Sequence, residues 1–148
     1  MGKYNEKNLL TAMGTALLLS ACAGTGGNTT AGSSADLTQY EWELSKIDNQ
    51  AVTIPSMGAV PTLGFENNTM AHGHSGCNRY FGSAEVKDGQ FRIEKMGMTM
   101  MACPDDAMKL ERVMSDTLSQ WSKAEVKGNT LTLSNSQHTL TFTATQPM

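Results

Sequence analysis

Apolar and polar residues alternate along most of the chain from about residue 36 onward. In "EWELSK" Trp42 and Leu44 share one face while Glu41 and Glu43 share the other. In "PTLGFE" Leu63 and Phe65 pair in the same way, and "YFGSAEV" sets Tyr80, Ala84 and Val86 against Ser83 and Glu85. "QFRIEK" turns Phe91 and Ile93 inward, and "HTLTFTA" places His138, Leu140 and Phe142 on one face with threonines on the other. A period of two is the mark of a strand with one buried face. Asp88–Gly89 lies between two such runs and reads as a hairpin turn. "KAEVKGNTLTLSN" reads as two further strands around Gly128–Asn129.

One stretch changes period. Between Pro104 and Trp121 the residues Leu110, Val113, Met114, Thr117, Leu118 and Trp121 recur at three- and four-residue spacing, which predicts one face of a helix. Pro104 suits the first helical position, where its missing N–H is no loss. Asp105 and Asp106 then sit at the positive end of the helix dipole, so they read as capping acids rather than as a catalytic pair. The expected fold class is α+β: a strongly curved antiparallel β-sheet, partly closed and barrel-like, packed on one α-helix.

The N-terminal segment follows different rules. Lys3 and Lys7 precede an apolar run, Leu9–Leu19, too short to anchor stably across a bilayer. "LSAC", Leu19–Cys22, resembles the lipobox of bacterial lipoproteins. The resemblance implies lipidation of the Cys22 thiol and cleavage before it. Ala23, rather than Asp, follows, which resembles lipoproteins sent to the outer membrane. Several acyl chains would hold the protein there, since one alone anchors only marginally. Residues 23–35, "AGTGGNTTAGSSA", carry no charge and little bulk to bury. The expected division is therefore a signal peptide over 1–21, a lipidated N-terminus and flexible tether over 22–35, and one folded domain over 36–148.

Within 148 residues the net charge is −3, with no cluster of Lys or Arg, which argues against nucleic acid as a partner. The densest chemistry is "HGHSGCNRYFG", His72–Gly82. Cys77 and Cys103 form an even pair once Cys22 is assigned to lipid, and an oxidising compartment favours a disulfide between them. The chain-entropy argument gives such a loop about 3.5 kcal/mol. The alternative is a free Cys77 nucleophile, which needs a lowered pKa and a positioned base. "GHSGC" departs from the G-x-S-x-G elbow at its last position, and no strand–elbow–helix surrounds Ser75.

His72 and His74 lie two apart, so on a strand they point the same way. His138 would have to supply a third ligand. The thioethers of "MGMTMMAC", Met96–Cys103, suit Cu(I). Methionine also fills core gaps, and His138 is in phase with Leu140 and Phe142. The reading is therefore no cofactor, with copper held by His72, His74, His138 and the Met-rich run as an alternative.

"SGCNRYFGSAEV", Ser75–Val86, followed by "MTMMACPDDAMKLERVM", Met98–Met114, resembles the META domain family. Gly76, Cys77, Asn78 and Gly82 match its first block; Met101, Ala102, Cys103 and Pro104 match its second. "EWELSKID" fits its Trp-containing first strand. The resemblance covers roughly residues 37–143. It implies a curved antiparallel sheet with one helix, an envelope location, and no known enzyme activity. It also implies roles in envelope stress and in tolerance of certain antibiotics. His72 and His74 lie outside the family motif. Bottom-up, Gly76 provides backbone freedom or close approach, and Asn78 can hold a turn through its amide. The expectation is a non-enzymatic, lipid-anchored envelope protein, with no catalytic residues, that binds another, unidentified envelope protein or other component. An inhibitor of a lysozyme-like enzyme is the alternative binding role.

Overall fold

The structure is a computed structural model that describes residues 30–31 and 34–147. The signal peptide, Cys22 and most of the expected tether lie outside the described residues. The elements are β1 (Thr30–Ala31), α1 (Ser34–Thr38), β2 (Tyr40–Ile47), β3 (Gln50–Ala51), β4 (Thr62–Glu66), β5 (Met70–His74), β6 (Arg79–Lys87), β7 (Gln90–Met98), α2 (Asp105–Ser119), β8 (Ser122–Lys127), β9 (Thr130–Ser134) and β10 (Thr139–Pro147). β1 and the start of α1 fall inside the stretch expected to be a tether; β1 pairs with β8 through Thr30↔Val126 and Ala31↔Glu125.

Eight antiparallel strands run in the order β8-β7-β6-β5-β4-β2-β10-β9, and β9 pairs back onto β8. The sheet is therefore a closed barrel, more complete than the partly closed sheet expected. Closure removes the open strand edges that would otherwise invite pairing with another chain. The alternating residues face inward as the period-two pattern requires. Trp42, Leu63, Phe65, Phe91, Leu131, Leu133, Leu140 and Phe142 are fully buried. Phe65 and Phe91 meet edge to face, their centroids 5.9 Å apart. The indole N–H of Trp42 donates to the Leu37 carbonyl at 2.8 Å, which ties α1 to the core.

The turns follow local chemistry. Asp88 (φ 51°) and Gly89 (φ 73°) form the left-handed pair of the β6–β7 hairpin. Asp48 and Asn49, and Asn67 and Asn68, also take positive φ, a conformation that short polar side chains tolerate better than most. The β6–β7 register shifts between Phe81 and Ser83, and Lys95 takes φ 52° on the facing strand. This bulge bends the barrel wall next to the His72–Gly82 run.

α2 packs against β7 and buries Ala107, Leu110, Met114, Thr117 and Leu118. Two expectations need correction here. Pro104 is the N-cap rather than the first helical residue and offers no capping side chain; Asp105 and Asp106 do occupy the first turn, where Asp106 Oδ1 accepts from the Ala107 N–H at 2.9 Å. Trp121 lies beyond the helix, because the chain is already extended at Gln120 (φ −109°, ψ 153°). Its ring instead lies beneath the Arg92 guanidinium, 4.6 Å from the centroid. His138 precedes β10 at the edge of the core, half-buried, and its Nδ1 lies 2.9 Å from the Asp48 carboxylate. That contact and the Thr139 N–H hold the Asp48 carboxyl below the ordinary carboxylate range.

Candidate functional site

β5 and β6 are antiparallel neighbours joined by the turn Ser75–Asn78, so the His72–Gly82 run folds back on itself. Inside the turn the Ser75 N–H donates to the Asn78 carbonyl at 2.8 Å. Gly76 takes φ +114°, and a Cβ there would come within 3.0 Å of Leu110 Cγ on α2. Both the conformation and the approach of the helix require glycine. Cys77 is bonded to Cys103, with Cα atoms 5.9 Å apart, which ties the turn to the start of α2.

Asn78 joins three segments. Its Oδ1 accepts from the Met101 N–H at 2.7 Å and from the Thr99 hydroxyl at 3.0 Å. Its Nδ2 donates to the Met101 carbonyl and to Glu111 Oε1, both at 3.2 Å. Its backbone N–H donates to Glu111 Oε2 at 2.7 Å, and the Ser75 hydroxyl lies 2.8 Å from the same oxygen. The Asn78 amide thus imitates a strand neighbour for Met101, and the Glu111 carboxylate receives the donors the turn leaves over. Ser75 and Asn78 are buried, and among the described residues every buried side-chain nitrogen and oxygen has a partner. Of the other motif residues, Gly82 is buried on β6 at the bulge, and Met101 acts here through its backbone while its side chain is exposed.

The outward face of the same strands is different. His72 pairs across the sheet with Phe81, and His74 with Arg79. Phe81 is in turn opposite Gly97 on β7, and His72 is opposite Gly64 on β4. A Cβ on Gly64 would lie 2.2 Å from Glu41 Oε1, so the Glu41 carboxylate from β2 lies over this glycine. His72 Nε2 is 3.9 Å from that oxygen. His74 Nδ1 accepts from the Gly76 N–H at 3.1 Å, and its backbone N–H donates to the Thr62 hydroxyl. Partial burial lowers the His74 pKa, and the Arg79 charge lowers it further against the opposing pull of Glu111. Beneath this face the Tyr80 hydroxyl donates to the Thr62 carbonyl at 2.6 Å. Burial, helped by Glu41, pushes its pKa well above the ordinary tyrosine range. Glu41, Thr62, His72, His74, Arg79 and Phe81 border an open cleft of about 540 Å³.

His72 and His74 thus share a face, whereas His138 is engaged with Asp48. Among the described residues there is no group of three or more His, Cys, Asp or Glu placed to hold a metal. The Met-rich run is divided: Met96 and Met98 pack on the core, while Met100 and Met101 face solvent. Glu41, Thr62, Arg79, Phe81 and Glu111 were not singled out by sequence reasoning. Cross-strand register sets the first four, and Glu111 reads as an ordinary solvent-facing helix acid. The only local signal was the exposed parity of Phe81, which follows from an inward Tyr80.

Known proteins resemble this chain at both levels. Two NMR structures share the fold, each at 24% identity. One, of a protein from Burkholderia xenovorans, has a TM-score of 0.64 and covers 99% of both chains. The other has a TM-score of 0.65 and covers 76% of this chain and 95% of its own. In sequence, heat shock protein HslJ of Escherichia coli (strain K12) is 27% identical over 107 residues, 72% of this chain and 74% of that protein. Residues 35–147 match the family model of the META domain, with the Gly76–Asn78 turn and the Cys103–Pro104 helix start inside the match, and the chain belongs to the META domain family.

Proposed function

We propose that this protein is a non-enzymatic, lipid-anchored component of the bacterial cell envelope that binds another envelope component during stress. Its anchor would be Cys22, with residues 1–21 removed, and its membrane the outer one, facing the periplasm. The observation that carries the binding role is the outward face of β5 and β6. It gathers Glu41, His72, His74, Arg79 and a largely exposed Phe81 around one cleft. None of these side chains is needed to fill the core, and a Phe left 57% exposed gains from being covered. Kinship with a heat shock protein supports the link to stress.

Photo-crosslinking in living cells tests this reading. A photoreactive residue at Phe81 or His72 is expected to form an adduct with an envelope component, and one at Thr132, on the far wall, is not. Adducts absent from all three positions, or equal at all three, would refute it. Replacement of Cys22 by Ser is expected to move the protein from the membrane to the soluble periplasmic fraction.

A further inference from the structure

We infer that the component bound at this face is a saccharide chain, with Phe81 as the stacking platform and Glu41, His72 and Arg79 as the hydrogen-bonding rim. This rests on the reading that the β5–β6 face is the binding face, and it names the ligand chemistry.

Among the described residues Phe81 is the one exposed aromatic ring, with the partly exposed Met70 diagonal to it on β5. Its cross-strand neighbours on the outward face are His72 and Gly97, with Arg79 two residues away on the same strand. The tip of its ring lies over Gly97, where a Cβ would come within 2.7 Å of Cζ. The glycine thus leaves room for the ring to lean onto the sheet while it remains 57% exposed. A protein partner needs a wider apolar core to its interface, surrounded by a polar rim. One ring with His72, Arg79 and Glu41 along one side instead matches a ligand with a ring-sized C–H face edged by hydroxyls, which is the shape of a pyranose.

The rim supports the same class. Glu41 is an acceptor, Arg79 a donor, and the imidazole of His72 carries one of each or two donors. Hydroxyl groups serve both kinds of partner. Glu41 and Arg79 carry opposite charges, so the face has no strong preference for an anion or a cation, which fits an uncharged polyol. The Glu41 carboxylate is fixed by its position over Gly64, and His72 stands between it and Phe81. The cleft, about 540 Å³, falls within the roughly 300–1,000 Å³ of small-molecule sites.

The test is a titration of the full-length protein in detergent with chitotetraose, and separately with maltotetraose, followed by NMR of the Phe81 ring and the His72 imidazole. Saturable shifts at these two residues with at least one glycan are expected. Phe81→Ala should weaken binding about tenfold, equivalent to about 1.4 kcal/mol, and Phe81→Trp should preserve it. Glu41→Gln should weaken it by a smaller factor. Because Phe81 is exposed, the alanine variant is expected to fold, and an unchanged amide spectrum elsewhere checks this. No saturable shift with either glycan, or equal affinity in Phe81→Ala, would overturn the assignment. If the glycans fail but Phe81 still crosslinks to an envelope protein in cells, only the saccharide falls. If both fail, the binding face itself is wrong.

Discussion

The barrel has two walls whose inner faces are built alike and whose outer faces are not. On β9 and β10 the inward residues are Leu131, Leu133, Leu140 and Phe142, and the outward ones are nearly all threonine, with Thr132 opposite Thr141 and Thr130 opposite Thr143. On β4 to β6 the inward residues are again apolar, Leu63, Phe65, Ala71 and Tyr80. The outward ones there are mixed: Gly64, His72, His74, Arg79 and Phe81 stand beside Thr62, Glu66 and Met70. Threonine pairs stabilise a sheet and offer a ligand little variety. The histidine wall has the opposite character: glycines make room there for Glu41 and Phe81 to lie against the sheet. Inward alternation therefore specifies the fold on both walls, and outward composition separates a wall that only pairs from one able to bind.

The comparison can be broken most severely at the disulfide. Replacing Cys77 and Cys103 by serine is expected to lower stability by about 3.5 kcal/mol, the chain-entropy value for a loop of this length. Urea denaturation measures it. Hydrogen exchange should show the loss first at residues 75–78, with β9 and β10 still protected. Glu111→Ala comes next, at about 2 kcal/mol, because it strands the Asn78 N–H in a buried turn and leaves the Ser75 hydroxyl only the Asn78 carbonyl. Glu111→Gln should recover part of this, since one acceptor oxygen remains. A loss below about 0.5 kcal/mol in Glu111→Ala would mean that water replaces the carboxylate readily.

The threonine wall is expected to respond less. Thr132→Ala combined with Thr141→Ala should reduce stability by about 1 kcal/mol and leave crosslinking from Phe81 unchanged. The smallest effect is that of pH on Asp48, which is exposed. Its pKa is depressed in the folded state by His138 and by the Thr139 N–H, so it stabilises above the unfolded carboxylate pKa of about 3.9. That contribution fades as pH falls through the lower, folded value. In His138→Ala the Asp48 titration, followed by carboxyl-carbon NMR, should move upward toward the ordinary range, and the small contribution that the pair makes at neutral pH should be lost with it.

Much of the architecture was legible residue by residue. Trp42, Leu44, Leu63, Phe65, Phe91, Ile93, Leu140 and Phe142 are buried as their alternation required. The helix was misread only at its ends, and for a physical reason: Trp121 falls in helical phase with Leu118 and Met114, although the chain has left the helix before reaching it. The order of strands was hidden, because the position of β2 between β4 and β10 depends on contacts across most of the chain. The outward direction of His72 and His74 follows from strand parity alone. Their company of Glu41, Arg79 and Phe81 depends on register between four strands, and Glu111 reaches the turn from a helix more than thirty residues away. Such encounters leave no trace in local pattern.

The β2–β10 seam also bears on how the chain is made. One of the two longest ladders joins the first long strand to the last one, Tyr40↔Pro147 at one end and Leu140↔Ile47 at the other. Until the final residues arrive, β2 has one free edge and the ring stays open. During synthesis the protein therefore remains an incomplete hoop, dependent on being kept from its neighbours, and becomes a finished object in a single late step.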